Sequence, residues 1–394
     1  MVPSGWTLEN LGDICFINPK KMTKPEDGQV SFIAMNQLSE DGQLISGITK
    51  HYDEVSKGFT SFKDDDVLVA KITPCFENGK GALVRNLVNG IGFGSTEFHV
   101  LRFKKNTCPE FIYYLTRTTE LRAKGEMNMQ GSAGHRRVTA DYFHAYKVKT
   151  PPLPEQRKIA QILGTWDKAI STTERLIDNS KQQKKALMQQ LLTGTHTQRK
   201  RLLDDSGIAF KGEWEEAPLK KCVTFLNGIR KPIKKEDRAN MQGNYPYYGA
   251  TSVIDYVDDY LFDDELILLG EDGENILSRV LPHVFTISGK TWVNNHAHVM
   301  KANADKDTSF LCMYLENLDY KKYNSGSAQP KINKAVCEKI SIRFPVLKEQ
   351  KKIAAVLTNA DKEIELLDQQ LADLKQEKKA LMQQLLTGKR RVLI

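Results

Sequence analysis

The run Lys184-Lys-Ala-Leu-Met-Gln-Gln-Leu-Leu-Thr-Gly194 returns without a change at Lys378 to Gly388, so the chain is written twice, at an offset of 194 residues. At the same offset Glu155-Gln156 meets Glu349-Gln350, Ile159-Ala160 meets Ile353-Ala354, and Asp167-Lys168 meets Asp361-Lys362. Both copies belong to a longer element, Pro154 to Thr193 and Lys348 to Thr387. In the second copy Ile353, Leu357, Ala360, Ile364, Leu367, Leu371, Leu374, Lys378, Leu381 and Leu385 alternate fours and threes, the seam of a heptad. The first copy keeps the spacing through Ile159, Leu163, Trp166, Ile170, Thr173, Ile177, Ser180, Lys184, Leu187 and Leu191. About 40 residues at ~1.5 Å each predict a rod of ~60 Å. A seam that long needs a partner, and the twin is the expected one. Antiparallel packing would bring Trp166 near Lys378 and Lys184 near Ala360. The competing arrangement is two independent surface helices, each docked on its own domain, and polar Thr173 and Ser180 in one seam are what favour it.

A chain of 394 residues accommodates two such helices and two blocks of about 150 residues. The expected boundaries are 1–150 for the first block, 151–196 for the first helix, 197–345 for the second block and 346–394 for the second helix. A net charge of +8 leans modestly towards polyanions. The six cysteines form no C-x-x-C pair, which argues against a zinc module or a disulfide framework and fits a reducing cytoplasm. The opening Met-Val-Pro-Ser-Gly-Trp lacks an apolar signal core, and no run approaches the ~18 apolar residues of a membrane span.

In the first block, Val30 to Ala34, Val67 to Ile72, Ala82 to Val84, Phe98 to Phe103 and Tyr146 to Val148 read as strands, and Pro109 to Lys124 as one helix. Prolines 151, 152 and 154 punctuate the helix entry, where proline is tolerated. Thr195 to Leu203 reads as a polar connector. The second block opens with Trp214 and Leu219, spaced as Trp6 and Leu11 are. Asp64 to Lys71 lines up with Asp263 to Gly270, and at that offset of 199 residues His99-Val100 meets His298-Val299. Apolar positions are kept while loops change. Ser95-Thr96-Glu97 stands where Asn294-Asn295-His296 does, and Gly131-Ser-Ala-Gly-His-Arg faces Gly326-Ser-Ala-Gln-Pro-Lys. One scaffold with two sets of hydrogen-bonding groups would read two different things.

No catalytic motif stands out. A glycine turn with an acidic or amide residue before Pro-Pro-aromatic, as a methyltransferase needs, is missing, as are a phosphate loop and Gly-x-Ser-x-Gly. Gly92-Phe-Gly94 and Gly79-Lys-Gly81 read as turns between strands. Asp64-Asp65-Asp66 and Asp263-Asp264-Glu265 precede strands, where solvated acids are common. His296 and His298, two apart on an expected strand, would share a face, with hydrogen bonding or packing favoured over metal binding. Loop groups that can donate and accept remain: Gln130, Ser132, Asn294, Asn295, Ser327 and Gln329. Beside them, Lys71, Lys80, Arg136, Arg137, Lys290 and Lys331 suit phosphates or guanine edges.

The repeated helices, the Pro152-Leu-Pro-Glu-Gln-Arg-Lys-Ile-Ala160 start, the Leu-Leu-Thr-Gly end and the block motifs together resemble the specificity subunit of Type I restriction-modification systems. Lys71-Ile-Thr-Pro-Cys-Phe-Glu-Asn-Gly-Lys80 and Gly94-Ser-Thr-Glu-Phe98 resemble one variety of its target recognition domain. Tyr245-Pro-Tyr-Tyr-Gly-Ala250, Leu268-Leu-Gly-Glu-Asp-Gly273 and Trp292-Val-Asn-Asn-His-Ala-His298 resemble another. The resemblance implies an α+β chain: two mixed α/β target recognition domains, joined by two conserved helices in an antiparallel coiled coil, as a pseudo-twofold repeat. It further implies a non-catalytic reader of a split, asymmetric site on double-stranded DNA. Two methylation subunits would bring S-adenosylmethionine, and restriction subunits would bring ATP and Mg2+. This chain would hold no cofactor or metal itself. The DNA-contacting set so expected is Lys71, Thr73, Lys80, Ser95, Thr96, Glu97, Gln130, Ser132, His135, Arg136 and Arg137 in the first block. In the second it is Tyr248, Glu271, Lys290, Asn294, Asn295, His296, Ser327, Gln329 and Lys331. The competing reading is a coiled-coil scaffold whose domains bind protein or carbohydrate.

Overall fold

The computed structural model describes residues 2–132, 134–192, 201–326 and 329–393. Ser327 and most of the expected connector at 195–203 lie outside the described residues. Two compact units are present: residues 1–174 with 369–394, and residues 175–368. The long helices are α1, Leu153–Leu192, and α2, Leu347–Leu385.

In unit one, a four-stranded antiparallel sheet runs in the order Cys15–Ile17, Phe98–Phe103, Val67–Ala70, Gly81–Leu83. A second sheet runs Ile48–His51, Gln29–Ile33, Ile91–Gly94, Thr60–Lys63, with its middle pair parallel. Unit two has the same two sheets in the same order. The first is Val223–Phe225, Ala297–Ala302, Leu266–Gly270, Val284–Ile287, and the second is Val253–Val257, Gln242–Tyr248, Lys290–Val293, Phe262–Asp263, again with a parallel middle pair. Each unit closes with a strand pair, Thr7–Asn10 on Lys147–Thr150 and Glu215–Pro218 on Ser341–Phe344, that delivers the chain into a long helix.

The helix seams face inward. In unit one Ile159 and Leu163 of α1 and Met382 and Leu385 of α2 are buried in one core with Trp6, Phe111 and Leu121. In unit two Leu191 and Leu192 share a core with Ile353, Leu357 and Phe310. The pairing is antiparallel in both. Asp167 takes Lys378 and Glu174 takes Lys375 in unit one, while Ser180 meets Glu363 and Lys184 takes Asp361 in unit two. The twin packing at the expected register, to within one residue, therefore replaces the picture of independent surface helices. Lys378 is buried because it has two partners there: Asp167, which also accepts the Tyr114 hydroxyl at 2.6 Å, and the Tyr114 ring, 5.5 Å away. Thr173, buried in the seam, satisfies its hydroxyl on Ala169 O at 3.0 Å.

The repeated Glu-Gln pair anchors each helix start. Glu155 receives Trp6 Nε1 at 3.0 Å and the Arg391 guanidinium at 2.6 and 2.8 Å, and Glu349 receives Arg201 at 3.1 and 2.6 Å. Gln156 Oε1 accepts Cys108 N and its amide donates to Pro151 O, both at 2.9 Å; Gln350 does the same with Asp307 N at 2.9 Å and Pro345 O at 2.8 Å.

Several local expectations are corrected. The single helix at 109–124 is two, Pro109–Thr116 and Thr119–Met127. Thr118 breaks it, because its hydroxyl donates to Leu115 O at 2.8 Å and accepts Leu121 N at 3.4 Å, ending one helix and capping the next. Gly92-Phe-Gly94 is a buried central strand rather than a turn. A Cβ on Gly92 would fall 2.1 Å from the Phe62 ring, so glycine serves close packing there. Asp66 is not solvated: it is fully buried and held by Arg102 through two bonds of 2.9 and 2.8 Å. His296 precedes its strand and is exposed, whereas His298 lies within it and is buried, so the two do not share a face.

Candidate nucleic-acid interface

Strand registers correct the internal repeat by one residue. His99 pairs with Val69, and His298 with Leu269, so the matching strands differ by 200 rather than 199. Lys71 thus corresponds to Glu271. The backbone bonds agree: Lys71 N donates to Glu97 O at 2.9 Å as Glu271 N does to His296 O at 2.8 Å, and Lys71 O accepts Val138 N at 2.9 Å as Glu271 O accepts Ile332 N at 2.8 Å. Three remote segments meet in each unit on one frame. It carries Lys71, Glu97 and Arg137 in unit one, and Glu271, His296 and Lys331 in unit two.

In unit one, Glu97 holds Arg137 in a fork, with Nε to Oε2 and Nη2 to Oε1 both at 2.9 Å. That bond, then Lys71, draws the Glu97 carboxyl below its ordinary range. Ser95 Oγ accepts Glu97 N at 3.1 Å and shapes the turn, leaving Thr96 exposed at its tip. Thr73 N donates to Arg136 O at 3.0 Å, and its hydroxyl to Glu77 at 2.7 Å, with Arg136 3.9 Å from Glu77. Lys80 enters through its carbonyl, which accepts Ala70 N at 3.0 Å. Gln130 and Arg137 pair across a short hairpin whose exposed turn holds Ser132 and His135. Gly131 is at φ +118°, where a Cβ would lie 2.8 Å from His135 O. All eleven expected residues of the first block are thus gathered at one end of the sheet.

In unit two, Glu271 receives Arg230 at 2.8 Å and Lys331 at 3.3 Å. Burial works to raise its pKa, but the Arg230 bond, His298 and Lys331 outweigh burial and the carboxyl ends below its usual range. Asn294 is the counterpart of Ser95: it is buried, and its Oδ1 accepts His296 N at 2.8 Å. Asn295 is exposed at the tip as Thr96 is. His296 Nδ1 lies 2.9 Å from Asp272, and Asn294 N donates to Tyr248 O at 3.1 Å. Gln329 is exposed beside Pro330, whose carbonyl accepts Gly273 N at 3.0 Å. Lys290 is not gathered with the others. It starts the strand that Asn294 follows, four residues or about 13 Å away, and sits 4.7 Å from the Tyr260 ring and 5.8 Å from the Tyr245 ring.

The sequence reading missed Arg230, which also donates to Ala297 O at 2.6 Å, and the paired asparagines Asn18 and Asn227. The signal for the latter was present, since Phe16-Ile-Asn18 repeats as Phe225-Leu-Asn227. Among the described residues no group of three or more His, Cys, Asp or Glu side chains is placed to hold a metal ion, and no helix is long and apolar enough to cross a membrane.

Two like-built α+β units, each with a mixed sheet, an antiparallel sheet and a share of a paired helix, define a duplicated, helix-linked recognition protein. The family model described as the Type I restriction modification DNA specificity domain matches residues 3–180 and 211–376, and the chain belongs to that family. A curated relative, the Escherichia coli Type I restriction enzyme EcoEI specificity subunit, is 37% identical over 182 residues, 45% of this chain. The match spans only 30% of that relative's length. The Methanocaldococcus jannaschii MjaVIII specificity subunit is 24% identical over 99% of this chain and 94% of its own. The crystal structure of a Type I restriction-modification S subunit from M. genitalium shares the fold at a TM-score of 0.61 and 16% identity, covering 97% of this chain and 96% of that one.

Proposed function

We propose that the chain is the DNA-reading subunit of a Type I restriction-modification assembly, each unit reading one half of a split, asymmetric duplex site. The observation that carries this is the shared frame with unlike letters: Lys71, Glu97 and Arg137 against Glu271, His296 and Lys331, on the same backbone bonds. Arginine and lysine suit guanine edges and phosphates, a carboxylate suits the cytosine amine, and an exposed asparagine such as Asn295 suits adenine. Lys80, Gln130, Ser132, His135, Arg136, Tyr248, Gln329 and, outside the described residues, Ser327 complete the contacting surface. In this reading the chain performs no chemistry of its own. Two methylation subunits supply S-adenosylmethionine, restriction subunits supply ATP and Mg2+, and the assembly works in the cytoplasm. A scaffold for protein or carbohydrate partners, the other reading open to the sequence, is not favoured by the family.

The test is a gel shift of the assembled methylation complex on duplex DNA across a salt series, with mapping of methylated adenines. Binding should fall log-linearly with salt, and methylation should mark one bipartite asymmetric sequence. Salt-independent retention, or methylation without a bipartite site, would overturn the reading.

A further inference from the structure

Behind each frame lies a buried histidine with the same bonds in both units. His99 Nε2 lies 2.9 Å from Val138 O, and its Nδ1 lies 3.0 Å from Asn18 Nδ2. His298 Nε2 lies 2.8 Å from Ile332 O, and its Nδ1 lies 2.9 Å from Asn227 Nδ2. A carbonyl only accepts, so Nε2 carries the proton and Nδ1 takes the asparagine N–H. Each asparagine closes the circuit by accepting a backbone N–H through Oδ1, Val100 N at 3.0 Å and Val299 N at 2.9 Å. Every polar atom of the ring is then used in the neutral form. Glu271 Oε2 also stands 3.7 Å from His298 Nδ1, but Asn227 is the nearer partner and burial keeps both imidazoles below their usual pKa.

The bonds have a directional consequence. Val138 is fixed through its N–H to Lys71 O and through its carbonyl to His99; Ile332 is fixed through its N–H to Glu271 O and through its carbonyl to His298. The residues immediately before them are Arg137 and Lys331, the basic members of the two frames. We propose that His99 and His298 are positioning residues for DNA reading, each pinning the segment that aims the basic side chain of its own unit. The inference rests on the frames being the reading sites.

The test uses the assembled methylation complex and two isosteric replacements. Glutamine places an N–H where Nε2 was, and asparagine places an oxygen where Nδ1 was. His99→Asn keeps the Asn18 contact and drops the pin; His99→Gln keeps the pin. With folding checked by thermal melting, His99→Asn should lower discrimination at the first half-site about tenfold and leave the second unchanged, while His99→Gln retains most of it. His298→Asn and His298→Gln should do the same at the second half. Equal losses from the Asn and Gln variants, or losses at both halves from one substitution, would overturn the pin. If the unmodified complex discriminated at neither half, the reading of the frames would fail instead.

Discussion

His283 offers a quantitative test of how unit two is built. Its ring is 1% exposed, stacked edge-on to Tyr320 at 4.6 Å, and among the described residues neither ring nitrogen has a hydrogen-bond partner. It fits only because position 270 is glycine, where a Cβ would approach its Cε1 to 2.9 Å. Burial, then Arg279 and His298, push its pKa from 6.5 down to about 4. The folded pKa is lower than the unfolded one, so below pH 6.5 the unfolded chain binds the extra proton first. Stability from this group is complete above that pH and is lost as acid approaches pH 4. The gap of about 2.5 pH units at ~1.4 kcal/mol each corresponds to roughly 3–4 kcal/mol, of which about 3 is lost by pH 4. His283→Leu removes the titration and the unpaired nitrogens, and should stabilise the unit by about 1–2 kcal/mol at pH 7. Its advantage over the native chain should widen to roughly 4–5 kcal/mol near pH 4. Amide hydrogen exchange in Leu266–Gly270 reads this directly, with Val67–Ala70 of unit one as internal control. An advantage that stays constant from pH 7 to pH 4 would refute the reasoning.

Replacing Lys378 with methionine leaves the half-buried Asp167 carboxylate of the unit-one seam with the Tyr114 hydroxyl as its partner among the described residues, and should cost about 2 kcal/mol in denaturant unfolding; no loss would mean that the ion pair merely fills space. Arg137→Ala in the methylation complex should relax preference at a base of the first half-site by about 1–3 kcal/mol, read by methylation mapping, while second-half preference stays. If the paired helices set the distance between the half-sites, inserting four residues into both α1 and α2, ~6 Å of added helix, should lengthen the unread spacer tolerated between them, and an unaltered spacer would refute that role.

Much of the architecture was legible because its signals are local and periodic. The exact repeat at Lys184 and Lys378 and the four-three spacing needed no tertiary information to predict paired helices, since a seam that long can be buried only by a matching one. Given the antiparallel orientation that the family resemblance implied, the expected contacts of Trp166 with Lys378 and of Lys184 with Ala360 fell within one residue of the observed Asp167–Lys378 and Lys184–Asp361 pairs. Strand cores such as Phe98–Phe103 were equally plain from their apolar runs.

Tertiary structure alone decided the content of the site. An all-apolar strand such as Val67–Ala70, buried on both faces, carries no alternation to mark its register. Letter matching therefore set Lys71 beside Gly270, and only the pairing of Val69 with His99 and Leu269 with His298 revealed the exchange of Lys71 for Glu271. Lys71, Glu97 and Arg137 meet through backbone bonds across long stretches of chain, and such bonds use atoms that every residue possesses. No residue type announces them. The long helices were written in side-chain periodicity, whereas the three-segment frame was assembled by main-chain hydrogen bonds, which leave no letter in the sequence.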